Sequence, residues 1–91
     1  MEKINAIVTS PVGLYAASAT KLVEAVKIYE SQISITYEGK TLNMKSIMGV
    51  LSLGIPEKAK VQITIEGQDE QAARDDIIGL LEQLEIGQEI R

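Results

Sequence analysis

The sequence predicts an α+β fold in the order β-α-β-β-α-β-α, a four-stranded antiparallel sheet carrying three helices. Three observations predict it. Four short runs alternate apolar and polar residues, two longer runs place apolar residues at helical spacing, and glycine or proline stands at most of the joints. Amphipathic strands need helices over one face, while the opposite, polar face can meet water.

The first strand is read from Ile4, Ala6 and Val8, and Ser10-Pro11-Val12-Gly13 breaks it. From Ala16 to about Tyr29 the period becomes helical, with Ala19, Leu22, Val23, Val26 and Tyr29 on one stripe and Lys21, Glu24 and Lys27 off it. Ile33, Ile35 and Tyr37 alternate with Ser34, Thr36 and Glu38. Glu38-Gly39 then separates them from Leu42 and Met44, a hairpin signature. Lys45 to Gly54 is short and apolar, with Ser46 placed to cap a brief helix and Gly54 to stop it. Val61, Ile63 and Ile65 form the fourth strand. Gln68-Asp69-Glu70 opens the last helix, whose stripe is Ala73, Ile77, Leu80, Leu81 and Leu84; the acids suit its positive end.

Composition narrows the function. Ninety-one residues make a single domain spanning 1–91, and 45% hydrophobic with 24% charged residues is ordinary globular usage. Tyr15, Tyr29 and Tyr37 are the only aromatics, so aliphatic side chains must fill the core. There is no cysteine, hence no disulfide or thiolate chemistry. Met1-Glu2-Lys3-Ile4-Asn5 has no signal-peptide character, and no apolar stretch approaches a bilayer span, so a cytoplasmic protein without membrane contact is expected. A net charge of −4 without a basic stripe argues against direct binding of nucleic acid.

The absence of histidine removes the commonest general base and metal ligand. Asp75-Asp76 and Asp69-Glu70 are sequence neighbours on a helix, do not converge on one ion and read as solvated charge. No phosphate-binding glycine motif is present. Neither metal, cofactor nor independent enzymatic activity is expected. Two stretches stand out. Gly13 to Thr20 runs straight into a helix, either an ordinary junction or an anion site made by the free N–H groups of the helix start. In Lys45 to Leu53 only some of the apolar side chains fit inside. Either all are core, or Ile47, Met48 and Leu51 form an exposed adhesive patch.

Tyr37-Glu38-Gly39-Lys40-Thr41-Leu42-Asn43-Met44-Lys45-Ser46-Ile47-Met48-Gly49-Val50-Leu51-Ser52-Leu53-Gly54 resembles the regulatory-serine region of the HPr family from Gram-positive bacteria. The resemblance runs without gaps from Ile4 to about Leu84, including the Glu66-Gly67-x-Asp69-Glu70 stretch. It implies the family's open-faced β-sandwich, four antiparallel strands and three helices. The family's first-helix turn reads Gly-Ile/Leu-His-Ala-Arg-Pro-Ala, in which the histidine carries phosphate from enzyme I to sugar-specific partners and the arginine steadies it. Here the segment is Gly13-Leu14-Tyr15-Ala16-Ala17-Ser18-Ala19: Tyr15 replaces the histidine, Ala17 the arginine and Ser18 the proline. A phenol is a poorer nucleophile and leaving group at neutral pH than an imidazole nitrogen, and a missing guanidinium removes the bidentate phosphate partner.

Ser46 matches the serine that HPr kinase/phosphorylase modifies, with Lys45, Ile47, Met48 and Gly49 in place. In the family the serine-phosphorylated form joins a LacI-type catabolite repressor, and Crh-type members keep this role without the histidine. The resemblance therefore implies a Crh-like regulator with Ser46 as phosphoacceptor and Ile47, Met48 and Leu51 as partner contacts. The family's arginine also helps repressor docking, which Ala17 cannot do. The alternative is an unphosphorylated, HPr-shaped interaction module with another partner, in which Ser46 is only a helix cap.

Overall fold

Strand β1 (Glu2–Val8) puts Ile4, Ala6 and Val8 on its buried side, as their alternation requires. The structure, a computed structural model, describes residues 1–90. After β1 come α1 (Ala16–Val26), β2 (Gln32–Tyr37), β3 (Lys40–Asn43), α2 (Ile47–Ser52), β4 (Lys60–Glu66), α3 (Glu70–Gln83) and β5 (Gly87–Glu89). The sheet order is β3-β2-β4-β1-β5, every pair antiparallel. Its register sets Ile4 and Ile35 on either side of Ile63, and Ile33 beside Ile65. These isoleucines line one face, all at most 2% exposed. Each stabilises the fold by about 1.5–3 kcal/mol through burial. Leu22, Val23 and Val26 of α1, Val50 of α2, and Ala73, Ile77 and Leu81 of α3 close over them in one cluster. The other face carries Asn5, Ser34, Thr36, Gln62 and Thr64, with Gln62 Nε2 donating to Asn5 Oδ1 at 3.1 Å.

The hairpin reading holds, because Glu38 (φ 49°) and Gly39 (φ 80°) both adopt the left-handed conformation of a tight two-residue turn. The expected four strands are corrected to five among the described residues. Gly87, Gln88 and Glu89 pair with Val8, Ile7 and Ala6. Three residues of low strand propensity carry no alternation that a periodic reading can detect. The first helix also stops earlier than expected, at Val26; a turn at Lys27 and Ile28 follows, and Tyr29 packs on the core from outside the helix. Leu80 and Leu84 only flank the buried stripe of α3.

Asp69 precedes α3, but its side chain does not cap that helix. The carboxylate instead accepts from the backbone N–H groups of Glu30 (2.8 Å) and Ser31 (2.9 Å) and from the Ser31 hydroxyl, holding the α1–β2 connection to the start of α3. The Ser31 hydroxyl and those N–H groups keep the Asp69 carboxyl below its ordinary range. No described helix is long and apolar enough to cross a membrane.

Candidate functional site

The segment between β3 and α2 presents Ser46. Asn43 Oδ1 accepts the Lys45 N–H at 2.8 Å, turning the chain out of the strand. Met44, fully buried, donates its N–H to Ile33 O at 2.8 Å and anchors the turn. Lys45 Nζ reaches back to Tyr29 O. Ser46 is then the extended N-cap (φ −108°, ψ 113°), and its Oγ accepts the Gly49 N–H at 3.2 Å. Val50 N–H bonds Ser46 O at 3.0 Å, and buried Val50 fixes the helix on the core. Leu53 closes the helix and Gly54 follows with φ 58°, which glycine adopts without strain. The capping serine and terminating glycine therefore stand where the sequence predicts them.

Ser46 is exposed, and a methyl on Gly49 would stand 3.4 Å from its Oγ, so glycine leaves the hydroxyl's flank clear. α2 has no acidic residue in its first turn. The three residues expected to form an exposed patch divide. Met48 is 76% exposed, whereas Ile47 and Leu51 are half-buried and pack against the core. A six-residue helix lying on the sheet through Val50 turns its neighbours at the 3.6 period partly inward. The expected exposure is corrected for Ile47 and Leu51, which are half-buried, neither part of an open patch nor fully core.

The second candidate lies at the start of α1. Gly13 (φ 73°) packs so closely on Ile55 and Pro56 that a Cβ would collide with the Ile55 carbonyl, and Leu14 N–H bonds that carbonyl at 2.9 Å. The turn is thereby fastened to the segment leaving α2. Tyr15 is the N-cap of α1, extended (φ −102°, ψ 176°), without a side-chain cap. Its carbonyl accepts from Ala19 N (2.8 Å) and Ser18 Oγ (3.3 Å), and its phenol is 47% exposed. Tyr15 at the N-cap and Ala17, Ser18 and Lys21 of α1 line a shallow cleft with Gln83, the last residue of α3, and with Leu84 and Glu85 just after it. Lys21, Gln83 and Glu85 were not singled out from sequence. Packing of α1 on α3 brings them to Tyr15, and no local signal announces it. Lys21 is the cation lining this cleft and Glu85 the acid, and Ala17 is exposed with no charge to offer.

Among the described residues no group of three histidine, cysteine or acidic side chains is placed to hold a metal ion. Asp75 and Asp76 are exposed. Chemically, an exposed serine hydroxyl at a helix start is a group that another enzyme can reach and charge, and Met48 is an apolar anchor beside it.

Residues 3–83 match the family model for the PTS HPr component phosphorylation site. Among solved structures, HPr-C-His from Thermoanaerobacter tengcongensis is 32% identical with a TM-score of 0.87, the match covering 92% of this chain and 94% of that one. A phosphocarrier protein HPr from Bacillus anthracis is 33% identical with a TM-score of 0.81, covering 87% and 94%. Crh, the Bacillus subtilis catabolite repression protein, is 30% identical with a TM-score of 0.72, covering 85% and 88%.

Proposed function

The chain belongs to the HPr family, and from that membership we propose that it is a Crh-like regulatory adaptor of carbon catabolite control, phosphorylated on Ser46 and without phosphate relay. The observation that carries this reading is a pairing. Ser46 is an exposed N-cap with a clear flank, while Tyr15 and Ala17 hold the family's phosphohistidine and arginine positions.

HPr kinase/phosphorylase would transfer the terminal phosphoryl group of ATP to Ser46 Oγ. The hydroxyl proton goes to a base of the kinase, and ADP leaves. The product carries about −1.5 to −2 charges at pH 7. At the first turn of α2 that charge meets helix N–H groups and no neighbouring first-turn acid. Arginines of a LacI-type repressor would take the phosphate by paired hydrogen bonds while Met48 enters an apolar pocket. Ile47 and Leu51 supply the pocket's rim rather than its anchor.

The test is an intact mass spectrum after treatment with HPr kinase and ATP. One added phosphate, abolished by Ser46→Ala, is expected; an unmodified chain contradicts the reading. One observation favours a second reading, an unphosphorylated interaction module. Ala17 removes the family's docking charge, and Val12 (67% exposed) and Tyr15 are left as apolar surface around it. That module would bind its partner equally well with Ser46→Ala.

A further inference from the structure

Where α1 ends, a groove opens between it and α3. Ala25, Ile28 and Tyr29 line one side, and Asp76, Gly79 and Leu80 the other. Ile28 is 76% exposed and takes no part in the core. Gly79 sits inside a fourteen-residue helix, where only proline is less favourable. A Cβ at that position would meet nothing within 4 Å. The fold itself therefore gives no reason for a glycine there, whereas a second backbone approaching closely from outside does.

Charge decides what the groove can take. Asp76 has no ion-pair partner among the described residues, and its neighbour Asp75 has only Arg74 Nη1 at 3.9 Å. The nearby cations are committed elsewhere: Arg74 to Glu89 (2.9 Å) and Glu2 (3.4 Å), Lys27 to Glu24 (3.1 Å). α1 carries no basic residue in its last turn, so the negative end of that helix adds to the two carboxylates. A polyanion or an anionic membrane is repelled by such a rim. Two packed helices also offer no free strand edge, but they can seat a third helix by its i, i+3, i+4 and i+7 side chains.

We propose that this groove docks a short, basic, amphipathic helix of a partner protein. Leucine or isoleucine side chains of that helix enter between Ile28 and Leu80, its backbone passes close to Gly79, and its arginines or lysines pair with Asp76 and Asp75. The groove shares no residue with the Ser46 segment, so docking here does not depend on phosphate at Ser46.

Titration of the isotope-labelled full chain with three synthetic helical peptides, followed by backbone amide shifts, tests the proposal. One peptide carries leucine at i, i+3, i+4 and i+7 with arginine at its flanks. The second has glutamate in place of arginine, and the third alanine in place of leucine. The leucine–arginine peptide is expected to bind about tenfold more tightly than either of the others. Its shifts should centre on Ala25, Ile28, Asp76, Gly79 and Leu80. Ile28→Glu and Asp76→Lys should each weaken it about tenfold, and Asp76→Lys should narrow its advantage over the glutamate peptide. Gly79→Leu fills the groove and should weaken binding as much, yet raise Tm, because leucine is the better helix former and nothing in the chain obstructs it. No binding, equal binding of the glutamate peptide, shifts centred on the Ser46 segment, or binding indifferent to these substitutions overturns the proposal. Self-association in light scattering that Ile28→Glu abolishes also overturns it, since a second copy then covers the groove. Should Gly79→Leu or Asp76→Lys fail to fold, Ile28→Glu, at a site outside the core, decides by the same readings.

Discussion

Replacing Ser46 separates its structural duty from its regulatory one. Its Oγ accepts the Gly49 N–H at 3.2 Å. Removing an N-cap hydroxyl costs about 0.5–2 kcal/mol. Here the bond is at the long end and exposed, so water can replace it, and the lower part of the range applies, about 0.5–1 kcal/mol. For a domain of this size, Ser46→Ala should lower Tm by about 2–8 °C. Ser46→Asp restores an acceptor and puts a negative charge at the helix start, a gain of about 0.3–1 kcal/mol. It should therefore melt at or above the unaltered chain in low salt, and its advantage should shrink as salt screens the charge. The phosphorylated chain should follow Ser46→Asp. Circular dichroism melts at two ionic strengths read the series. The reasoning is refuted if Ser46→Ala melts with the unaltered chain, or if Ser46→Asp melts below Ser46→Ala.

Asp69 gives a pH dependence. Its carboxyl is held low in the folded chain, so its stabilisation is complete above its unfolded value, about 4, and is lost as pH falls through the folded value. The gap in urea midpoint between the unaltered chain and Asp69→Ala should be widest at neutral pH and close in acid; a gap that widens in acid contradicts the assignment. Met48→Glu removes an exposed anchor and should change stability by no more than about 0.5 kcal/mol while weakening capture of a Ser46-phosphate-dependent partner at least about tenfold. Unchanged binding would remove Met48 from the contact. Tyr15→His with Ala17→Arg should make the chain accept phosphate from enzyme I, and Tyr15→His alone should do so more slowly. Failure of the pair would place the loss of relay outside these two positions.

What the sequence made legible is what depends on near neighbours. Ile4, Ala6 and Val8, or Val61, Ile63 and Ile65, alternate because one face of a strand is buried, and they are buried. Ser46 and Gly54 mark a helix start and stop through their own backbone and hydroxyl chemistry, and both do so. The rest depends on distant partners. Asp69 looks like a residue for the positive end of α3, yet its carboxylate serves Glu30 and Ser31, 39 and 38 positions away in the chain. Tyr29 fits the helical stripe of α1 but follows the helix end at Val26, with no glycine or proline to mark the stop. β5 is held by its fit against β1 and by Arg74 rather than by any pattern of its own. In α2 the spacing of apolar residues cannot fix the helix phase over so few residues, so Ile47 and Leu51 were legible as apolar but not as half-buried.

These departures bear on function unequally. The fifth strand makes no contact with the serine segment's hydrogen bonds, whereas the stretch after the early end of α1 does, through the Tyr29 carbonyl that accepts from Lys45 Nζ. On the proposed reading Tyr15 and Ala17 stand at the family's histidine and arginine positions, which alters what the first-helix turn can do chemically, because neither side chain offers a nitrogen acceptor or a guanidinium.

The central claim is tested most directly by offering labelled phosphate from two donors side by side: phosphoenolpyruvate through enzyme I, and ATP through HPr kinase. Label is expected only from ATP, on Ser46, and none on Ser46→Ala. Label arriving from phosphoenolpyruvate, or surviving the Ser46→Ala substitution, would contradict it.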